Sequence, residues 1–142
     1  MYQILFPLGN DKEHALQAVE AIVNLPGDPE ESTVTVLEVF ETVELADEGG
    51  FAHSGGRSDE TDFPDYTDDV VDRLEDAGIE TTKRHERGKP VDTIVKIAEE
   101  IDADLITLSG RKRSPTGKLV FGSVTQSVIL SADRPVLTVM VN

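Results

Sequence analysis

The 142-residue chain contains no cysteine and no tryptophan, and aromatic residues make up only 5% of it. Without cysteine, the protein has neither disulfides nor the thiolate ligands of structural zinc sites. Its three histidines, His14, His53 and His85, lack the mutual spacing of metal ligands. No nucleophile, base and acid stand in a recognisable catalytic arrangement. We therefore expect no metal site, no catalytic residues and no enzymatic activity.

Long apolar runs are also missing from the sequence. No stretch approaches the roughly 20 apolar residues that a membrane span needs, and the opening MYQILFPL carries no basic flank of the kind found in secretory signals. A chain of 142 residues is long enough for one ordinary core and short for two. We therefore expect a single domain over residues 1–142 that is soluble and cytoplasmic.

Basic residues are scarce, because 13 lysines and arginines stand against 28 aspartates and glutamates, for a net charge of −15. The imbalance is concentrated in residues 1–82, with a net charge of −18, whereas residues 83–142 carry +3. An acidic surface with few lysines resembles proteins of salt-loving, halophilic organisms, in which dissolved ions screen the repulsion between carboxylates. The same excess argues against binding to nucleic acid or to anionic membranes, whose phosphates it repels.

Five short runs rich in Val, Ile, Leu and Thr alternate with segments of helical spacing. Such runs are typical of strands, and in the helical segments the apolar residues recur on one face. Strict alternation favours a parallel sheet with helices on both faces. We therefore predict an α/β fold, in which Gly78 ends the second helix and Pro90 begins the third. The predicted strands are Tyr2–Phe6, Thr33–Val39, Glu80–His85, Asp104–Leu108 and Val136–Val141, and the predicted helices are Lys12–Asn24, Thr67–Ala77, Val91–Ile101 and Ser123–Leu130.

Two segments stand out from this pattern. The segment at about 41–66 is rich in glycine and acidic residues and shows little periodicity, so we expect a flexible acidic loop there. The last strand, at 136–141, is apolar almost throughout. Because an apolar strand at a sheet edge needs to be paired or covered, this strand suggests a homodimer.

The expected topology points to one crevice for a ligand. Ligands of open α/β sheets bind outside the carboxyl ends of the strands, where the strand order reverses. For a strand order of 3-2-1-4-5, the loops at 7–13 and 109–123 meet there. The second loop is not a Walker A motif, because Lys118 is not followed by a serine or threonine. Gly122 and Ser123, however, begin the last helix, where free N–H groups and the helix dipole attract anions.

Three segments carry a resemblance to a known family. They are ILFPLGNDKEHALQAV near the start, RGKPVDTIVKIAEEIDADLITLSGR in the middle and GSVTQSVILSADRPVLTVM at the end. Over nearly all of its 142 residues, the chain resembles a universal stress protein of the UspA type. The resemblance implies a five-stranded parallel sheet of order 3-2-1-4-5 flanked by helices, a Rossmann-like fold similar to that of the adenine nucleotide alpha hydrolases. It also implies a homodimer through the last strand and, in one subgroup, bound ATP.

The resemblance places a nucleotide site on the loops that meet at the crevice. Members that bind ATP have the motif G-x2-G-x9-G-[ST] after the fourth strand and an aspartate two residues after the proline of the first loop. Here Gly122 and Ser123 match, while Ser109, Lys112 and Gly9 replace the other two glycines and the aspartate. The cofactor-binding residues implied by the resemblance are Pro7, Leu8, Gly9, Asn10, Val39, Leu108, Ser109, Lys112, Gly122, Ser123 and Val124.

These replacements leave more than one function open. Lys112 adds a side chain where a glycine lets the backbone approach a phosphate, but its ammonium group can itself contact a phosphate, and Asn10 or Asp11 can replace the missing ribose partner. The leading interpretation is a homodimeric stress-response protein that holds ATP, with Mg²⁺ only alongside the nucleotide. The alternatives are a protein interaction module that has lost nucleotide binding, and a slow ATPase.

Two local features also have two interpretations each. The basic cluster at 111–113 is either a solvated loop or an anion site, and Val39 is either a core valine or part of the adenine pocket.

Overall fold

The structure is a computed structural model, which describes residues 1–9, 11–40, 64–111 and 122–141. All but the last three residues of the predicted loop at about 41–66 lie outside the described residues. In the described part of the chain, strands and α-helices alternate, with one 3-10 helix before the second strand. The strands are β1 (Tyr2–Pro7), β2 (Ser32–Phe40), β3 (Glu80–Arg87), β4 (Leu105–Arg111) and β5 (Val136–Val141), and the α-helices are α1 (Lys12–Val23), α2 (Thr67–Asp76), α3 (Pro90–Glu100) and α4 (Ser123–Ser131).

The five strands form one parallel sheet in the order β3-β2-β1-β4-β5. This order confirms the predicted fold class and topology. β1 lies at the centre, where Leu5 pairs with Thr35 of β2 on one side and with Ile106 of β4 on the other. Because the chain fills one half of the sheet before it crosses to the other, the strand order reverses between β1 and β4. The carboxyl ends of these two strands therefore open at the switch point.

The sheet divides the apolar core into two layers. In the α1/α2 layer, Val19 and Val70 are buried together with Phe6 of β1. In the α3/α4 layer, Ile97 is buried together with Leu37 of β2. Side chains alternate between these layers along each strand. No helix in the described ranges has both the length and the apolar character needed to cross a membrane.

Local sequence signals set the ends of the helices. Asp11 caps α1, because its side chain accepts a hydrogen bond from a backbone N–H of the first turn. Pro90 occupies the first turn of α3, and Gly78 follows α2 with a φ of +91°, so both predicted helix boundaries are confirmed. The 3-10 helix at Pro29–Glu31 is not predicted from the hydrophobic pattern, since it follows from the capping side chain of Asp28.

β4 begins one residue later and ends three residues later than the sequence pattern indicates, because the predicted strand at 104–108 becomes Leu105–Arg111. Asp104 stands before the strand, and its Oδ2 accepts a hydrogen bond from the backbone N–H of Gln3 at 2.8 Å. At the other end, pairing with β5 continues to the last residue of β4. Ser109, predicted at the start of the ligand loop, is therefore a strand residue.

Candidate functional site

A cavity of about 350 Å³ opens at the carboxyl ends of β1 and β4. Its walls come from the end of β1, the loop that follows, the start of α1 and the end of β4. Three residues predicted at the site, Pro7, Gly9 and Ser109, line it together, although they come from distant parts of the chain. The lining residues are Phe6, Pro7, Gly9, Asp11, His14, Ala15 and Ser109.

A larger cavity, of about 620 Å³, lies at the opposite end of the sheet, where β1 and β2 begin. Core residues such as Ile4 and Ile79 line it, and Glu30 and Glu31 also border it. Helix N-termini, whose free N–H groups bind anions, lie instead at the carboxyl ends of parallel strands. We therefore place the candidate site at the smaller cavity.

The loop between β1 and α1 is anchored at three points. The backbone N–H of Leu8 donates to the carbonyl oxygen of Leu37 at 2.8 Å, and Asp11 caps α1 at the other end of the loop. Between them, the carbonyl oxygen of Gly9 accepts a hydrogen bond from the hydroxyl of Tyr66, the residue directly before α2. The Asp11 carboxylate and the Gly9 carbonyl are therefore both engaged by the protein itself.

Tyr66 and Glu38 are buried polar side chains near this loop. They are 6% and 9% exposed, respectively. Burial raises the pKa of Tyr66 to about 12, and the negative charges of Glu38 and Asp11 act in the same direction. The phenol therefore stays protonated at neutral pH, so its hydroxyl remains a donor to the carbonyl oxygen of Gly9.

The end of β4 forms another wall of the cavity. Ser109 is half-buried and in register with Val139 of β5. The carbonyl oxygen of Ser109 accepts a hydrogen bond from Thr125 Oγ1 at 3.0 Å, which ties the first turn of α4 to this wall. Ser109 is not among the described residues with positive φ. A serine therefore occupies this predicted glycine position without backbone strain.

The start of α4 is exposed to solvent. Gly122, at the N-cap, has no side chain to cap the helix, and a Cβ added there would meet no atom within 4 Å. Ser123 and Val124 are also exposed. The first N–H groups of an α-helix lack intrahelical acceptors, so this helix start offers donors and a positive dipole end to an anion.

Known proteins match this chain along its length. A model of the universal stress protein family matches residues 1–140. The chain belongs to the universal stress protein family. Over 72 residues it is 35% identical to the universal stress protein of Mycolicibacterium smegmatis, a match that covers 50% of this chain and 55% of that protein. The chain thus spans about half the length of the curated relatives it matches.

Solved structures of universal stress proteins share the fold. One from Archaeoglobus fulgidus is 32% identical, with a TM-score of 0.65, over 97% of this chain and 98% of that chain. A structure of the universal stress protein from Archaeoglobus fulgidus in complex with dAMP is 25% identical, with a TM-score of 0.59, over 97% of both chains. The resemblance seen in the sequence is thereby confirmed.

In this universal stress protein, several predicted site residues lie away from the cavity walls. Val39 and Leu108 contact the α3/α4 layer, and Leu108 is only 5% exposed. Leu108 is therefore a core residue, and Val39 is partly buried against the same layer. Leu8 packs against the α1/α2 layer. Asn10 and Lys112 lie outside the described residues.

Four side chains at or beside the site are not among the residues predicted from the sequence. Glu38 offers a signal, since it is the one charged residue of β2. Tyr66 offers none, because nothing near it in the sequence points to the first loop. The other two are His14, which lines the cavity, and Thr125. Within the described ranges, no three His, Asp or Glu side chains lie close enough together to hold a metal ion.

Proposed function

We propose that this universal stress protein binds an adenine nucleotide at the cavity between β1 and β4 and acts in the cytoplasm as a non-enzymatic stress-response protein. The observation that carries the proposal is the junction between the cavity and the exposed start of α4, made by the hydrogen bond from Thr125 to Ser109. The cavity accepts the nucleoside, and the free N–H groups of the helix suit the phosphate. The relative in complex with dAMP supports this class of ligand.

The size of the cavity favours a monophosphate as the first probe. A volume of about 350 Å³ is near the lower end of the range of small-molecule sites, which suits one nucleoside with its phosphate outside. The longer phosphate chain of ATP, with its Mg²⁺, needs additional donors beyond the cavity. We therefore propose AMP or dAMP as the first ligand and ATP with Mg²⁺ as the second.

Substitution of Ser123 by aspartate separates nucleotide binding from stability. An aspartate in the first turn of α4 interacts favourably with the helix dipole, but it repels a phosphate at the same position. We expect Ser123→Asp to keep or raise the melting temperature and to weaken AMP binding at least tenfold, as measured by isothermal titration calorimetry. Ser131→Asp, at the other end of α4, is the matched control and should bind AMP as the wild type does.

The wild-type titration decides between the proposal and its main alternative. The nucleotide part of the proposal is wrong if AMP, dAMP and ATP at millimolar concentration give no heat of binding and no shift in melting temperature, in both low and high NaCl. The protein would then be an interaction module. That alternative is supported by exposed apolar side chains on α4, at Val124, Ile129 and Leu130. It is also supported by Gly9, which stands where the family members that bind ATP have an aspartate.

We propose that bound nucleotide acts as a signal rather than as a substrate. The cavity contains His14 and Asp11, but His14 Nε2 lies 3.9 Å from the Asp11 carboxylate, beyond hydrogen-bond distance, and that carboxylate is already engaged as the cap of α1. Phosphate release from ATP at a rate no higher than the background is the expected result. Steady release that disappears in His14→Gln would support the slow ATPase instead.

We also propose a homodimer formed through β5. β5 is an edge strand of the sheet, and five of its six residues are half-buried in the single chain. Such an apolar edge is suited to pairing with a second copy. Light scattering should give twice the monomer mass for the wild type and the monomer mass for Met140→Glu, which places a charge on this edge in both copies. Tyr2→Glu, on β1, should remain dimeric, and a monomeric wild type would refute the proposal.

A further inference from the structure

The hydrogen bond between Tyr66 and Gly9 joins two distant parts of the chain at the candidate site. The two residues are 57 positions apart. The ring of Tyr66 packs within the α1/α2 layer of the core, so the side chain has little freedom. A buried hydroxyl without an acceptor is unfavourable, and the carbonyl oxygen of Gly9 supplies that acceptor. The bond therefore constrains the loop to follow the position of the ring.

α2, which begins directly after Tyr66, is itself anchored to α1. Lys12 Nζ lies 3.1 Å from Asp69 Oδ2. Further along the two helices, Arg73 donates two hydrogen bonds to the Glu20 carboxylate, at 2.6 and 2.9 Å. Each exposed pair contributes little to stability, but together they align α2 with the helix that starts at the cavity. Tyr66 is thus held in place from both the core and the surface.

We infer that Tyr66 is a positioning residue for the ligand cavity, because its hydroxyl holds the loop after β1 in the shape that accepts a nucleotide. This inference rests on the proposed function. Gly9 lines the cavity, and glycine has the widest choice of backbone conformations. Without the bond, the loop would sample several of them. The bond also engages the Gly9 carbonyl oxygen within the protein itself.

The charges around Tyr66 keep it suited to this role. Burial disfavours a phenolate at Tyr66 most, and the negative charges of Glu38 and Asp11 add to this effect. Only the protonated phenol can donate to a carbonyl oxygen, because a phenolate is an acceptor. The acidic neighbours therefore favour the form of Tyr66 that binds the loop.

The test is Tyr66→Phe, which keeps the ring and removes the hydroxyl. We expect its affinity for AMP, measured by calorimetry, to fall about 3- to 10-fold, the effect of losing one hydrogen bond. In the ligand-free protein, the backbone amides of Leu8 and Gly9 should exchange with deuterium faster than in the wild type. Tyr2→Phe is the matched control, since the only other tyrosine is exposed at the far end of β1.

A second control separates positioning from general stability. Val70→Ala shortens a fully buried side chain of α2 that packs in the same core layer, so it lowers stability while the hydrogen bond from Tyr66 to Gly9 is kept. If Tyr66→Phe weakened AMP binding and loosened the loop no more than Val70→Ala did, the inference would be wrong while the proposed function stood. If the wild type bound no nucleotide, the proposed function would fail first and the inference with it.

Discussion

Two glycines near the carboxyl edge of the sheet differ in what their backbone requires. Gly88, between β3 and α3, has a φ of +149°, and a Cβ added there would lie 2.6 Å from Thr93 Oγ1. Gly9, in the cavity loop, shows no such φ, and its added Cβ would meet no atom within 4 Å. The fold therefore requires glycine at position 88, whereas position 9 has room for a side chain.

Alanine substitutions test this difference. Gly88→Ala should lower the free energy of unfolding by about 1–3 kcal/mol, because it combines an unfavourable φ with a steric clash. Gly9→Ala should change the free energy of unfolding by less than about 1 kcal/mol. Urea unfolding followed by circular dichroism measures both. Equal losses at the two positions would contradict this account of the backbone.

The open space at Gly9 also allows the family's aspartate to be restored. Gly9→Asp adds a carboxylate in the cavity, where it can accept hydrogen bonds from a ribose. We expect Gly9→Asp to bind AMP at least about 10-fold more tightly than the wild type, the lower end of the gain from one charged hydrogen bond. Gly9→Leu, similar in size but without an acceptor, is the control. Unchanged affinity in calorimetry would show that Gly9 does not face the ribose.

Tyr66 makes stability depend on pH in the alkaline range. In the unfolded chain a tyrosine titrates at a pKa of about 10, whereas the pKa of Tyr66 is raised to about 12 in the fold. The unfolded chain therefore loses this proton first, so the stability that Tyr66 contributes is complete below pH 10 and is lost as the pH rises to 12. The loss amounts to about 2–3 kcal/mol.

Two measurements check this prediction. Between pH 10 and pH 12, the free energy of unfolding of the wild type should fall by about 2–3 kcal/mol relative to that of Tyr66→Phe. In Tyr2→Phe, Tyr66 is the only tyrosine, and phenolate absorbance should report its pKa directly. Titration near pH 10 in the folded Tyr2→Phe variant would show that Tyr66 is accessible to water.

At the scale of elements, two threonine hydroxyls, one next to β4 and one within it, have opposite consequences for stability. Thr125 Oγ1, on α4, donates to the carbonyl oxygen of Ser109 at the end of β4. Thr107, within β4, is fully buried, and its Oγ1 has no hydrogen-bond partner among the described residues. The first hydroxyl joins helix and strand, whereas the second is buried at a cost.

The same substitution at both positions should therefore have opposite effects. Thr125→Val should lower the free energy of unfolding by about 1 kcal/mol and weaken AMP binding, because the start of α4 is no longer tied to the cavity wall. Thr107→Val should raise the free energy of unfolding by about 1 kcal/mol, because it removes an unpaired polar group. Thermal unfolding and calorimetry measure both effects. A loss of stability in Thr107→Val would reveal a partner for its hydroxyl.

At the scale of the whole molecule, the net charge of −15 acts on stability through repulsion between carboxylates. Salt screens this repulsion, but it also weakens favourable ion pairs, such as those of Arg84 with Glu86 and Glu100 at 2.9 and 2.6 Å. Because 28 acidic residues face only 13 lysines and arginines, screening of repulsion should outweigh the loss of these pairs. We expect the melting temperature to rise by several degrees between low and 1 M NaCl. A constant or falling melting temperature would show that ion pairs dominate.

The sequence alone determined the fold class and, through the family resemblance, the strand order, and it also predicted the region of the candidate site. Hydrophobic periods of two and 3.6 residues, helix caps and turn glycines involve residues that are close together in the sequence. Elements such as α1 and β5 were therefore predictable. The switch-point rule then brought Pro7, Gly9 and Ser109 together, since carboxyl ends of parallel strands share one edge. The element ends were less predictable, because the extension of β4 depends on its pairing with β5.

Only the tertiary structure decided which side chains complete the site. The bond between Tyr66 and Gly9 spans 57 positions and depends on how α2 packs against α1, which no local pattern encodes. The burial of Glu38 and the assignment of Val39 and Leu108 to the α3/α4 layer follow from the position of each strand within the sheet. Short-range spacing therefore specifies the elements, and long-range packing specifies the site they build.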